Sequence, residues 1–286
     1  MPERNGYIAG VPCWIDTNQP DPEAALPFYA GLFGWAFEDG MPEGSGSHYF
    51  IGRIRGGDVA AVSSVPEGAP PMAMWNTYIW VDDADATAKA ATEAGGTVLN
   101  GPFDVMDAGR MAVIADPEGA VFMAWQAGNH KGATVVNEHG SLNFNGLATR
   151  DVAAAERFYG AVFGWKVLSL DAGPFWALPA YGDHLEELTP GVKEQAASMG
   201  APDGFIDVVA MVNPIADGDE DTPPHWSVTF ATDDVAATAA KAKELGGEVV
   251  VEPVDAPWVR MCVIKDPQGA LFVASQFVPE NAGLTA

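Results

Sequence analysis

The sequence predicts an α+β protein in which four βαβββ modules pair into two tandem domains. Three observations predict this. FYAGLFGW at Phe28–Trp35 returns as FYGAVFGW at Phe158–Trp165, with five of eight positions identical. DPEGAVFMAWQ at Asp116–Gln126 returns as DPQGALFVASQ at Asp266–Gln276, with seven of eleven identical. Between these blocks, WNTYIWVDDADATAKAATEAGG answers to WSVTFATDDVAATAAKAKELGG. Matches in preserved order over most of a chain mark an internal duplication. A length of 286 residues also suits two domains of roughly 100–200 residues each.

The elements follow in order. CWIDT, from Cys13, alternates like a strand, and PDPEAALPFYAGLF then reads as a helix. Asp21 stands at its N-cap with Pro22 behind it, and Gly34 closes the end. HYFIGRIRG and DVAAVSSV read as strands. The second module repeats the order: NTYIWV as a strand, Asp83 as a cap, and DATAKAATEA as a helix ended by Gly95 and Gly96. RMAVIA and AVFMAWQ then flank DPEG, a β-turn signature with Asp first, Pro second and Gly fourth. The same order restarts after Ser141 and after Trp226.

These landmarks place the first domain at 1–130, with modules at about 8–66 and 74–127. A polar, glycine-containing linker follows at 131–140, and the second domain spans 141–286, with modules at about 141–214 and 225–278. The offset between copies grows from 130 to 150, so the second copy carries an insertion, at about 181–204. Its apolar spacing suits a short helix after a turn.

Composition narrows the partners. A hydrophobic fraction of 48% with 19% charged residues is that of a globular protein. Fourteen basic against 39 acidic residues leave a net charge of −25, which repels nucleic acid and anionic lipid alike. Cys13 and Cys262 each lie in an apolar run and read as buried small hydrophobes. MPERNGYIAG lacks the apolar stretch of a leader, and no run approaches the ~18 apolar residues of a membrane span. The expectation is a cytoplasmic protein, monomeric or homodimeric, whose partner is a small molecule.

A helix ending in FY-x-x-x-FGW, further strands, a second helix ending in GG and a DP-x-G hairpin together resemble the vicinal-oxygen-chelate superfamily. That superfamily contains glyoxalases, bleomycin-resistance proteins and extradiol dioxygenases, and the tandem form is similar to two-domain glyoxalase-like proteins labelled hydroxylases. The resemblance implies that each domain curls an open sheet around a cleft. It also implies His, Glu or Gln ligands for a divalent metal near the start of the first strand and the end of the last strand of the modules. Carried over residue by residue, those positions fall on Trp14, Asn76 and Met123 in the first domain. In the second they fall on Phe144, Ser227 and Val273. The remaining strand offers only Asp58 or Asp207 as an acid. Indole, phenyl and thioether groups do not make a hard metal site. No cofactor is therefore expected, although a divalent metal stays open as an alternative.

Residues of matching parity predict what the clefts offer instead. Trp14, Asn76, Tyr78, Met123 and Trp125 form an aromatic set in the first domain, with Asp16 as a polar handle; Trp14 and Trp125 read equally well as core. The second domain offers Phe144, Trp176, Tyr181, Trp226 and Trp258. Arg110 and Arg260, at equivalent places, suit anchoring a ligand oxygen or pairing with an acidic neighbour. His225, His184 and Asp16 are the acid–base candidates. His48 stands at a strand start, and His130 and His139 in the linker read as solvated. A hydroxylase would need a redox cofactor, and neither a dinucleotide glycine fingerprint nor a metal facial triad is present. The sequence thus points to a metal-free cleft that binds a small aromatic molecule, with acid–base catalysis on it as an extension. The alternative is a metal-dependent glyoxalase, lyase or dioxygenase-type enzyme of specialised or detoxification metabolism.

Overall fold

A computed structural model of the chain describes residues 4–284. The first domain runs β1 (Pro12–Gln19), α1 (Pro22–Phe33), β2 (Ala36–Asp39), β3 (Tyr49–Ile54), β4 (Gly57–Ser64), β5 (Met74–Trp80), α2 (Ala84–Glu93), β6 (Thr97–Val105), β7 (Gly109–Ala115) and β8 (Val121–Ala127). The second repeats it as β9 (Leu142–Thr149), α3 (Val152–Phe163), β10 (Lys166–Leu170) and β11 (Gly173–Ala177). It then inserts α4 (Tyr181–Leu188) and α5 (Val192–Ser198) before β12 (Val208–Pro214). β13 (His225–Ala231), α6 (Val235–Glu244), β14 (Glu248–Ala256), β15 (Val259–Lys265) and β16 (Leu271–Phe277) complete it. Each domain is one eight-stranded mixed sheet, and the expected α+β class with four βαβββ modules is what the chain adopts.

Local chemistry starts each module helix in the same way. Asp21, Asp83, Asp151 and Asp234 accept a hydrogen bond from the amide three residues on, at 2.8–3.0 Å, satisfying one orphan donor of the first turn. Gly34 and Gly164 close α1 and α3 in the left-handed conformation. The short strands after each helix escape a pattern reading. β2 is largely exposed, and β6 carries Asn100 and Pro102 in place of clean alternation. The insertion is two helices rather than one.

Within each sheet the first strands of the two modules pair antiparallel at the centre. Asp16 lies opposite Asn76 and Trp14 opposite Tyr78; in the second domain Gly146 lies opposite Ser227 and Phe144 opposite Thr229. One face of each sheet carries the helices, which meet between the domains as α1 on α6 and α2 on α3. The cores therefore cross the domain boundary. Phe28, Phe33 and Trp35 pack with Phe230 and Phe272, while Phe122 packs with Phe158, Tyr159 and Phe163.

The repeated motifs meet at this crossing. The Tyr29 hydroxyl donates to Asp266 at 2.7 Å and the Tyr159 hydroxyl donates to Asp116 at 3.0 Å. Each Asp also accepts amides of its own DP-x-G turn, so the turn reading holds and gains a second role. Trp35 and Trp165 donate their indole N–H to the carbonyls of Gly140 and Gly10, at 2.7 and 2.8 Å. Buried polar groups so paired do not carry the several-kcal/mol cost of an unsatisfied one.

The segment between the domains is not a free linker. The Ala133 and Thr134 amides donate to the carbonyls of Cys13 and Asp58, both at 2.8 Å, and Val135 and Val136 are buried. Among the described residues, no helix is long and apolar enough to cross a membrane.

Candidate functional site

Side chains on the sheet face away from the helices build the two candidate clefts. In the first domain they fill their own space. Asp16, 2% exposed, accepts from Asn76 at 2.7 Å on one oxygen. Its other oxygen accepts from the Tyr78 hydroxyl at 2.6 Å and the Tyr49 hydroxyl at 3.1 Å. Tyr49 in turn accepts from the Trp14 indole at 2.8 Å, and Asn76 also donates to Asn18 at 2.7 Å. All these donors to Asp16 are neutral. Burial pushes its carboxyl above the ordinary aspartate range, against the lowering effect of the three hydrogen bonds. The same burial, with the Asp16 carboxyl alongside, raises the Tyr78 and Tyr49 hydroxyls.

His130, expected to be solvated, closes this network. Its ring lies 4.4 Å from that of Trp14 and 5.9 Å from that of Trp125, both edge-on, and its Nε2 is buried with no hydrogen-bond partner among the described residues. Burial lowers its pKa, favouring the neutral ring. The reason is the strap itself: the His130 amide bonds the Ala108 carbonyl at 3.0 Å, which turns the side chain inward. Sequence alone had no signal for this, nor for Tyr49 reaching Asp16 from β3.

The second domain shows smaller residues at the equivalent positions. Trp14, Asp16 and Asn18 become Phe144, Gly146 and Ala148. Asn76 and Tyr78 become Ser227 and Thr229, while Met123 and Trp125 become Val273 and Ser275. Phe144, Ser227 and Val273 are half-buried where their counterparts are buried. Phe144 and Phe175 form one wall with Phe205, which the insertion delivers. On the floor, Thr229 and Ser275 are 6% and 8% exposed, and among the described residues neither hydroxyl has a hydrogen-bond partner. Neither oxygen is cut off from solvent, so each is open to water or to a ligand oxygen.

The rim reverses the trend. Ala108 and Ala127 of the first domain correspond to Trp258 and Phe277. Trp258 follows Pro257 in the tight β14–β15 turn with a φ of 68°, a position that favours Gly and strains a bulky residue by roughly 1–3 kcal/mol. Its ring lies parallel to Phe277, with centroids 6.4 Å apart and planes at 6°. Trp258 also touches the end of the insertion, where a Cβ on Gly200 would stand 3.4 Å from its ring.

Other sequence candidates fall elsewhere. Trp176 and Trp226 lie on the helix side, buried with Tyr159 and Trp165, so their assignment to ligand binding is corrected to core. Trp226 donates to the Tyr159 hydroxyl at 3.0 Å. Tyr181 is buried in the same core and accepts from Arg4 at 2.9 Å, with His184 stacked on it at 6.4 Å. Neither faces a cleft. Arg110 shares a face with the core residues Ala112 and Ile114 and is engaged by Asp85 and Asp104 at 2.7 and 2.9 Å. Arg260 is exposed and 3.8 Å from Asp255. His48 is held by Asp39 at 2.6 Å, which raises its pKa. His139 stays exposed, as expected. Of the acid–base candidates, Asp16 is sealed in the first domain and His184 is on α4. His225, with one ring nitrogen 2.8 Å from the Pro223 carbonyl, shares the cleft face with Ser227 and Thr229 at its open end.

A divalent metal does not fit these donors. Trp14, Asn76 and Met123, or Phe144, Ser227 and Val273, stand where superfamily ligands are expected. Among the described residues no three His, Cys, Asp or Glu side chains converge on a common point.

Comparison with known proteins bears on the fold and the family. The chain is 40% identical over 284 residues to CFP32 of Mycobacterium tuberculosis, a protein carrying a provisional glyoxylase name, covering 98% of this chain and all of that one. It is 34% identical over 287 residues to the anthracycline biosynthesis protein DnrV of Streptomyces peucetius, covering 93% of each. Among solved structures it superposes on the Mn(II)-bound glyoxalase of Novosphingobium aromaticivorans with a TM-score of 0.59 at 15% identity, over 94% of this chain and 83% of that one. The 2,3-dioxygenase LapB of Pseudomonas sp. KL28 gives 0.56 at 14% identity, over 94% and 93%. Residues 14–124 and 141–273 both match the family model described as Glyoxalase/Bleomycin resistance protein/Dioxygenase superfamily, and the chain belongs to that superfamily.

Proposed function

We propose that this protein binds a small, planar aromatic molecule in the cleft of its second domain, without the divalent metal that glyoxalases and dioxygenases of the superfamily use. The single observation that carries the reading is the loss of side-chain volume at the cleft-facing positions of β9, β13 and β16 in the second copy, only partly offset by Met211 and Asn213 on β12, against a first copy that hydrogen-bonds itself shut. Apolar walls with a few free polar groups are the usual make-up of an organic ligand site. The relative named for anthracycline biosynthesis supports an aromatic ligand. Within this site, proton transfer on a bound ligand would fall to His225, the one acid–base candidate on the open cleft face.

The test is a titration with 1,4-dihydroxyanthraquinone, followed by its visible absorbance. Saturable 1:1 binding is expected, weakened by at least ~100-fold in Ser275→Trp, which restores the ring that Trp125 places in the first domain. Absence of saturable binding, or binding undiminished by Ser275→Trp, overturns the site. Elemental analysis of protein purified without affinity metal is the second arm. A stoichiometric divalent ion there overturns the metal-free reading in favour of a metal-dependent enzyme.

A further inference from the structure

The second-domain cleft has two chemically distinct ends, and their separation sets a length. At one end, level with Val273, is the hydroxyl of Thr229, with that of Ser275 two residues nearer the rim; both residues are largely buried, and among the described residues neither hydroxyl has a hydrogen-bond partner. At the other is the parallel pair Trp258 and Phe277, with Phe277 55% exposed. Thr229 lies level with Val273 on the neighbouring strand, and Val273, Ser275 and Phe277 point to the same face of β16. From the level of Thr229 to Phe277 is four residues along β16, a span of roughly 13 Å and that of about three to four fused rings rather than one.

Resting on the proposed second-domain site, we infer that its ligand is a planar polycyclic compound. Its hydroxyl or carbonyl oxygens bond Thr229 at one end and Ser275 along its length, and the other end stacks on Trp258 and Phe277. The hydroxyls have no protein partner, so an oxygenated edge replaces water there without leaving a buried group unsatisfied. The aromatic pair offers two faces aligned within 6°, so a flat ring lying along one is aligned with the other. Backbone strain at Trp258 is retained where glycine would relieve it, as happens where a side chain serves a site. The first domain has no such rim, since Ala108 and Ala127 stand there. A single aromatic ring spans Ser275 to Phe277, two residues or roughly 7 Å apart, but not Thr229 to Phe277.

The experiment compares 1,4-dihydroxyanthraquinone with 1,4-dihydroxybenzene, measured by absorbance titration and saturation-transfer NMR respectively. In the unaltered protein the three-ring probe binds at least tenfold more tightly. Phe277→Ala, an exposed position where folding is not at stake, and Trp258→Gly, which relieves strain, each shrink that ratio severalfold. Thr229→Val with Ser275→Ala weakens the dihydroxyanthraquinone about tenfold. A ratio unchanged in both rim variants, or indifference to loss of both hydroxyls, overturns the inference. Should Ser275→Trp abolish binding while these variants do nothing, the ligand assignment fails and the cleft stands. Should Ser275→Trp also leave binding intact, the proposed site itself fails.

Discussion

The two copies share an architecture and differ in what occupies the same strand positions. In the first domain, Trp14, Tyr49, Tyr78 and Asn76 close around Asp16, with His130 from the strap laid over them. In the second, the equivalent residues on β9, β13 and β16 are smaller, β12 gains volume at Met211 and Asn213 where β4 has Ala61 and Ser63, and ring volume reappears at the rim as Trp258 and Phe277. The difference teaches that duplication let one copy turn this sheet face into a hydrogen-bonded core while the other lost those bonds.

The comparison predicts first that opening the closed copy is costly. Trp125→Ser, which installs the second-domain residue, should destabilise the protein by about 3–5 kcal/mol, the range of large-to-small changes in a packed core. The reverse change, Ser275→Trp, should alter stability far less while blocking the cleft. Urea denaturation of both variants checks this, and equal losses would mean that both floors are equally packed.

The cross-domain hydrogen bonds give a second, smaller asymmetry. Tyr159→Phe removes the donor to Asp116 and the acceptor of Trp226, whereas Tyr29→Phe leaves Asp266 its second donor, Gln19, at 2.6 Å. Tyr159→Phe should cost about 2–3 kcal/mol and Tyr29→Phe about 1 kcal/mol. Thermal unfolding ranks them, and the opposite order contradicts the account.

The third prediction concerns pH. The Asp16 pKa is raised on folding, so its contribution to stability is complete below the unfolded value, about 4, and is lost as pH rises through the raised value. Asp16→Asn carries a constant cost from its mismatched amide but no titration. Its stability relative to the unaltered protein should therefore improve as pH rises from about 4 to 7. Parallel stability curves across that range would show that Asp16 is not a buried titrating group. No equivalent slope belongs to the second domain, where Gly146 takes its place.

How much was legible depends on the range of the cause. Asp21, Asp83, Asp151 and Asp234 were readable as caps because capping is settled within three residues. The strand faces were readable because side chains alternate, which is why Trp14, Asn76, Tyr78, Met123 and Trp125 fall on one sheet face. Trp176 and Trp226 were misplaced because nothing local distinguishes a cleft indole from one packed against a partner domain's helix. Phe277 was passed over because it stands just beyond the repeated block, in sequence the least remarked end of a strand.

The sequence by itself determined the duplication, the modules, the turn and cap chemistry, and the unsuitability of Trp14, Met123, Phe144 and Val273 as metal ligands. Those follow from residue type and spacing alone. Only the tertiary structure decided that the repeated Tyr and Asp motifs bond across domains, that His130 turns inward, and that the first-domain face closes on Asp16. Packing and hydrogen bonding between residues a hundred or more positions apart, such as Tyr29 with Asp266, depend on how the two sheets face each other, and that arrangement leaves no local periodicity to read.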